Sequence, residues 1–540
     1  MKESYLQLNM AKMDFSSSKS IKHRISVHLD SLSLKTYQAL ASLGHMFWRC
    51  PKQDLFGHSS SQQKCIVVFA LVCCFAVLVA LIFSAVDIWG QDEDGITENN
   101  CNTNCRIVLV ENIPEDLYYS DNGTLYLPLN LGLLSLLDSA EKTVEIVSSH
   151  WNLNATDMKQ IHPSAWQGQE VFKRLLNLHL HQKTLKIASD LNHKDSSELK
   201  QLAKHGAEVH YLNMTALTKG QMHASFWVVD KKHIYIGSAN MDWHSMAQMK
   251  ELGVIIYNCS CLALDLHRMF TLFWQLEYKE FIPTIWSKRI FAISNIEKPH
   301  NLTLNDTNYD VFLSSSPNIF CPKGRTKDID AIYKVISDAQ RFIYVSVMDY
   351  LPLINRSNYH TENQVPLQRY WSRADEMLRE VLVLRRIKIR LLISCWKQTH
   401  PLTFNFVWSL MTLCTDLPNC SLEVKFFTPK DQYNNTFQTV NRNKFVVTDR
   451  AVYIGNFDWV GNDFTYNAGA GLTIIQKGAK PDKTNSTVIE QMKAIFEWDW
   501  YSRHAKSLQA NKIPECIKQK LSKPASFKIS PESMEGKDIF

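Results

Sequence analysis

Apolar positions along this chain follow two alternating rhythms. Short β-branched runs, "TVEIVSSHW" (143–151), "TLKIASD" (184–190) and "EVHYLN" (208–213), have the length and composition of strands. Between them lie segments whose apolar residues recur every three or four positions, as amphipathic helices require. Strands alternating with helices predict an α/β fold. The order then repeats. A helical "LLSLLDSAEK" precedes the first series, and a helical "DIDAIYKVISDAQ" precedes "FIYVSVMDY" (342–350), "IKIRLLISC" (387–395) and "LEVKFFT" (422–428). Each series ends in a similar hairpin, "MHASFWVVDKKHIYIGSANMDW" (222–243) and "NRNKFVVTDRAVYIGNFDW" (441–459). Such recurrence predicts a duplication: two like lobes of β-sheet flanked by helices, 106–300 and 301–516, packed about a pseudo-twofold axis. The aromatic run "MFTLFWQLEY" (269–278) has helical spacing and reads as core.

One stretch obeys neither rhythm. Cys65 to Val86 holds 22 residues without a charge, enough to cross about 30 Å of hydrocarbon as a helix. Nine Lys and Arg against four acids precede it, and Asp87, Asp92, Glu93 and Asp94 follow, so the N-terminus is expected in the cytosol. The run starts too late and is too long for a cleaved signal peptide, and it lacks a clean A-x-A exit. It reads as a signal-anchor preceded by a Ser-rich, disordered cytosolic tail (1–64). A stalk (87–105), the two lobes and a C-terminal tail (517–540) follow it. This arrangement predicts a single-pass type II membrane glycoprotein of the secretory and endolysosomal system, its large domain lumenal or extracellular.

Acceptor sequons agree with that topology, for Asn122, Asn154, Asn213, Asn258, Asn301, Asn305, Asn355, Asn419, Asn434 and Asn485 all follow the span. Cysteines agree too. Cys101, Cys105, Cys259, Cys261, Cys395, Cys414, Cys420 and Cys516 are disulfide candidates: "CNTNC" and "CSC" are segments that can be stapled together, and Cys414 with Cys420 can close a short loop. Nine cysteines follow the span, so one thiol is left over. The C-x-C and C-x3-C spacings without nearby ordered His fit zinc badly, and no metal or cofactor is expected. The net charge of +6 resides mostly in the tail, so the basic balance is no argument for a nucleic-acid surface, and no stable nucleic-acid complex is expected.

The hairpins carry the chemistry. Aligned, Ser225 falls on Lys444, Asp230 on Asp449, and Tyr235 to Gly237 on Tyr453 to Gly455. Period-two spacing puts His223 and Ser225 on one face of a strand, and Arg442 and Lys444 likewise. These stretches resemble the phospholipase D superfamily, whose two H-x-K-x4-D/E motifs, each followed by G-S/T-x-N, build one phosphodiester-cleaving site. With "KELGV", "YNCSC" and the apolar run near the N-terminus, the likeness is to the type II membrane branch that includes endolysosomal nucleases, and it covers about residues 101 to 516. The resemblance implies that one His attacks phosphorus, the other protonates the leaving oxygen, and two Lys with Asn and Ser/Thr groups hold the phosphoryl oxygens.

This chain departs from that pattern in both halves. The first keeps His223 and Asp230 but has Ser225 for Lys; the second keeps Lys444 and Asp449 but has Arg442 for His. Gly237, Ser238 and Asn240 survive, whereas Asn456 replaces Ser/Thr and Asp458 replaces Asn. The six motif residues His223, Ser225, Asp230, Arg442, Lys444 and Asp449 therefore read as a vestigial site in a pseudoenzyme. His223, Ser238, Asn240, Arg442 and Lys444 are candidates to bind a phosphate-containing ligand without cleaving it. A protein partner is the other expected role, including a homo- or hetero-oligomer with related family members. The rival expectation is a residual phosphodiesterase, exonuclease or phospholipase, acting through His223 with an acid such as His244. Glu251 in "KELG" resembles a family acid that orients a catalytic His, or is an ordinary surface residue.

Overall fold

The computed structural model describes residues 68–79, residues 95–509 apart from 116, 118, 120–125, 157–161, 284–285, 287, 357–366, 429–438 and 479–485, and residue 516. The chain divides into two units, Met1–Val86 and Asp87–Phe540. In the first, residues 68–79 are helical with largely exposed side chains. The rest of the expected span and both expected tails lie outside the described residues. Among the described residues no helix is long and apolar enough to cross a membrane.

The second unit is a mixed α/β fold. Its first series comprises β1 (Asn104–Asn112), α1 (Leu129–Asp138), β2 (Thr143–Ser148), α2 (Trp166–Leu176), β3 (Thr184–Asp190), α3 (Ser197–Lys204), β4 (Glu208–Leu212), β5 (Ser225–Val229), β6 (His233–Gly237), β7 (Glu251–Tyr257) and α4 (Ser260–Gln275). The second comprises β8 (His300–Leu304), β9 (Thr307–Ser316), α5 (Asp328–Asp338), β10 (Phe342–Val347), α6 (Arg373–Glu380), β11 (Lys388–Ser394), α7 (Pro401–Thr412), β12 (Leu422–Phe427), β13 (Phe445–Thr448), β14 (Ala451–Gly455), β15 (Gly469–Gln476) and α8 (Val488–Tyr501).

Strands β2, β3 and β4 are parallel neighbours, and β2 also pairs antiparallel with β5, which continues through β6 and β7 to β1. Strands β10, β11 and β12 are likewise parallel, and β10 pairs antiparallel with β13, which continues through β14 and β15 to β9. Parallel pairing of β1 with β8 at Asn104↔Thr303 and Cys105↔Leu304 joins the sheets. Helices α4 and α8 share one core with both sheets, packing Leu266, Phe270 and Phe273 with Met492 and Phe496. The outer faces are covered by α1 to α3 around Leu133, Val171 and Leu199, and by α5 to α7 around Ile332, Leu378 and Val407. The run 269–278 is core as far as Leu276, whereas Tyr278 beyond it is exposed.

The expected stalk ends earlier than its composition suggested. Asn102 donates from its backbone N–H to Ser260 Oγ and from its Nδ2 to the Asn258 carbonyl, and Cys101 and Cys105 are disulfide-bonded to Cys261 and Cys259, so this segment is already part of the folded unit. Cys395–Cys516 and Cys414–Cys420 complete the set. Of the remaining cysteines after the span, Cys321 keeps a free thiol that burial pushes up to about 12, which leaves it a poor nucleophile at neutral pH.

The repeated Tyr-Ile-Gly has a packing cause. A Cβ on Gly253 would lie 2.5 Å from the Tyr235 ring, and one on Gly471 would lie 2.5 Å from the Tyr453 ring. Each tyrosine thus lies flat across the neighbouring strand only because that strand offers a glycine there.

Candidate functional site

Backbone bonds between the two series bring the hairpins together. Met222 bridges Ala468 and Lys250 bridges Asn441, both in parallel sense. The His223 N–H donates to the Ala468 carbonyl at 2.7 Å, and the Arg442 N–H to the Lys250 carbonyl at 2.8 Å. His223 and Arg442 therefore sit just ahead of β5 and β13 rather than within those strands as the alternation suggested. Cross-connection to the other series takes the place of the ladder there.

Each basic side chain at this junction faces a carboxylate. His223 Nδ1 lies 3.6 Å from Asp463 Oδ2, and Asn467 Nδ2 approaches His223 Nε2 at 3.4 Å. Burial alone would raise Asp463, but His223 and Lys444 beside it hold its carboxyl below the usual range. Arg442 Nη1 lies 3.5 Å from Glu251 Oε1 and 3.4 Å from Ser245 Oγ. Glu251 is fully buried, so it is not a surface acid, and it also accepts from Ser238 Oγ at 2.5 Å and Ser245 Oγ at 3.0 Å. Its burial raises its pKa, with Arg442 opposing. Lys444 Nζ lies 3.3 Å from Asp458 Oδ2. Burial would lower the Lys444 ammonium, but Asp458, Asp463 and Glu251 outweigh it and raise it instead.

The other replaced residues also have fixed partners. Ser225 Oγ donates to the Ala239 carbonyl. Asn456 crosses to the first series, donating to the Gly237 carbonyl at 2.7 Å while its Oδ1 accepts from Ala470 N at 3.0 Å. Asp458 Oδ1 accepts from the N–H groups of Met348 and Asp349 at 2.7 and 3.1 Å. Asn240 Oδ1 accepts from Ser149 Oγ at 3.3 Å. His244 faces Asp242 and Trp243: its Nδ1 lies 3.7 Å from Asp242 Oδ1 and its ring packs on Trp243.

The family model described as PLD3/4, PLD-like domain matches residues 120–432. The chain belongs to the phospholipase D superfamily. It is 53% identical over 495 residues to the human protein named inactive phospholipase D5, covering 90% of this chain and 89% of that one. It is 38% identical to 5'-3' exonuclease PLD3 of Xenopus laevis, over 81% of this chain and 89% of the relative. To mouse 5'-3' exonuclease PLD4 it is again 38% identical, over 77% and 82%. The departures at 225, 442, 456 and 458 thus occur in a chain alignable with family members nearly from end to end.

Two motif residues require correction. Asp230 and Asp449 are not at the junction but at the far ends of β5 and β13. Asp230 accepts from the N–H groups of Glu141, Lys142 and Thr143 at 2.5 to 2.8 Å, and Asp449 from those of Gln340 and Arg341 at 2.9 and 3.0 Å. The four residues between them and Ser225 or Lys444 span a strand, so these acids hold the loop entering β2 or β10 and take no part in the site.

Sequence reasoning missed Asp349, Asp463 and Asn467, which no motif marks, and a deeper cluster. Lys250, fully buried, lies 3.4 Å from Glu111 and 3.3 Å from Asp499. Asp499 also accepts from Tyr119 Oη at 2.8 Å and from Asn441 and Asn443 at 3.3 Å. This cluster ties β1, α8 and the strand entry at Arg442 to one ammonium.

Burial, then the Asp458 charge, pushes Asp349 up to about 7, with Trp396 Nε1 donating to it at 3.0 Å. Asp458 is raised as well, so the two carboxylates titrate as a pair. Between an unfolded value near 3.9 and this folded value, the folded state binds a proton that the unfolded chain has released, so stability falls as pH rises across that window. Burial acts in the same sense on Asp328, pushed up to about 6. The thermal midpoint is expected to be higher at pH 5 than at pH 7.5, and Asp349→Asn is expected to shrink that difference. Scanning fluorimetry of both proteins at the two pH values checks it.

Proposed function

We propose that this protein is a non-catalytic phospholipase D-like pseudoenzyme in which the former phosphate pocket has become a polar joint between duplicated lobes. The observation that carries this is the pairing at the junction: Lys444 with Asp458 at 3.3 Å, Arg442 with Glu251 at 3.5 Å and His223 with Asp463 at 3.6 Å. The pairing order shared by the two sheets supports duplication.

Turnover needs a nucleophile, an acid for the leaving oxygen and donors for the phosphoryl oxygens. Arg442 cannot supply the acid, since a guanidinium holds its proton too tightly to donate it. Loss of a general acid alone lowers rates by about 10² to 10⁴, and loss of one charge-stabilising donor by about 10² to 10³. Asp458 adds an anion where the incoming phosphate would gather negative charge. Ser225 has no base, and its hydroxyl is committed to a carbonyl. Oligonucleotide and phospholipid hydrolysis by the purified full-length chain, compared with His223→Ala, tests this reading.

We read the chain as a type II membrane glycoprotein. The uncharged run 65–86, exposed sequon residues Asn258, Asn301 and Asn419, and four disulfides support this. Glycosidase shifts and protease protection of the C-terminal domain in sealed vesicles test it.

A second reading, weak binding of a phosphate-containing ligand, is favoured by one observation. His223 and Arg442 keep 29% and 26% of their side chains exposed, so these two of the candidate phosphate-binding groups are reachable from solvent, whereas Lys444 is withheld by Asp458. Titration with a short single-stranded oligonucleotide and with a phospholipid headgroup tests it. At least a tenfold loss of affinity in Arg442→Ala is expected, and equal binding by the two proteins removes the reading.

A further inference from the structure

A cavity opens beside the turn between β13 and β14, at the far end of β13 from the junction. About 440 Å³ in volume, it is lined by Arg341, Asp449, Arg450, Gln476 and Gly478, with no aromatic or aliphatic side chain among them. Arg341 immediately precedes β10, Arg450 immediately precedes β14, and Gln476 ends β15. Asp449 is already committed. Its Oδ1 accepts from the N–H groups of Gln340 and Arg341, and its Oδ2 lies 3.5 Å from Arg341 Nε, with only 3% of the side chain exposed. The remaining donors are not committed: among the described residues the Arg341 Nη groups, the Arg450 guanidinium and the Gln476 side-chain amide have no protein partner. Two guanidiniums against one carboxylate leave the lining with a net positive charge.

The first series builds the same corner and closes it. Lys232 holds the place of Arg450, one residue ahead of its strand, and Glu141 holds that of Gln340, each donating its N–H to the motif aspartate. Lys232 Nζ pairs there with Glu141 Oε2 at 3.2 Å. The Lys232 carbonyl accepts from Cys259 N at 2.7 Å, and Cys259 is tied to Cys105. In the second series an amide stands where that acid stood, so the cation at the turn is left to serve something from outside the chain.

We infer that this cavity binds a sugar carrying a phosphate or sulfate ester. Guanidiniums hold tetrahedral oxyanions through parallel N–H donors, and the Gln476 amide offers both a donor and an acceptor to sugar hydroxyls. The volume exceeds what an oxyanion alone fills and lies within the range of ligand clefts, about 300 to 1,000 Å³. A nucleobase or an acyl chain fits less well, because the lining has no ring to stack on and no aliphatic wall. Arg341 is 80% exposed, so it works in water, and the affinity is modest and falls with salt. This inference does not rest on the loss of catalysis.

Isothermal titration of the purified full-length chain tests it, with glucose 6-phosphate, glucosamine 6-sulfate, inorganic phosphate, inorganic sulfate and glucose as probes. At least one ester is expected to bind tenfold or more tightly than its inorganic ion, and glucose to give no heat; the better ester identifies the anion. Arg341→Ala with Arg450→Ala is expected to weaken ester binding at least tenfold. Gln340→Glu, which returns the acid found in the first series, is expected to weaken it as well. Arg442→Ala should leave it unchanged, which separates this cavity from the junction. All three positions at the cavity are exposed, so thermal midpoints should shift by no more than a few degrees, which separates lost binding from lost folding. Absence of ester binding, inorganic ions that bind as tightly as the esters, parent-like binding by either cavity variant, or a loss in Arg442→Ala overturns the proposal.

Discussion

Lys250→Ala is expected to prevent this protein from reaching its folded form. The ammonium is fully buried, and its removal leaves Glu111 and Asp499 facing one another without a counter-charge. Breaking one side of a buried ion cluster typically costs about 3 to 5 kcal/mol, against a total stability of about 5 to 15 kcal/mol. Here two acids lose the same partner, which puts the loss at the upper end. Burial already raises Glu111 even with Lys250 in place, so the variant should be partly rescued at acidic pH, where its carboxyls take up protons. Neutralising all three groups together, Lys250→Met with Glu111→Gln and Asp499→Asn, should recover most of the loss. Thermal midpoints and the yield of soluble protein check these outcomes.

The second large effect concerns chemistry. Ser225→Lys with Arg442→His restores both motif pairs, yet hydrolysis is expected to remain near background. Asp458 would still hold Lys444 at 3.3 Å, and Asn456 would still bridge to the Gly237 carbonyl. Adding Asn456→Ser and Asp458→Asn releases Lys444 and returns the missing donors. The fourfold variant is expected to exceed the double variant by at least about 10² in rate, the size of one recovered charge-stabilising donor. Initial rates on a fluorogenic oligonucleotide distinguish the variants. A fully active double variant would show that Asp458 is no obstacle.

Much of this was legible because it depends on local pattern. Strand and helix order followed from apolar periodicity, and β2, β3, β4, β10, β11 and β12 lie where their β-branched runs predicted. The defects at Ser225 and Arg442 were visible because a duplicated motif supplies its own reference. The exact partners were not visible. Asp463 reaches His223, and Asp499 reaches Lys250, across hundreds of residues of chain, and neither falls in a motif. The motif acids misled for the opposite reason: Asp230 and Asp449 recur with the site residues in sequence, but strand length carries them to the other end of the hairpin, onto backbone N–H groups.

Hydrolysis of a single-stranded oligonucleotide by the purified full-length chain, from pH 4.5 to 7.5 and beside His223→Ala, addresses the central claim most directly. Internal pairing of the junction predicts rates that match the variant and the buffer blank at every pH. Turnover well above blank that vanishes with His223 would contradict it, for the imidazole would then be working with an acid that the junction does not offer.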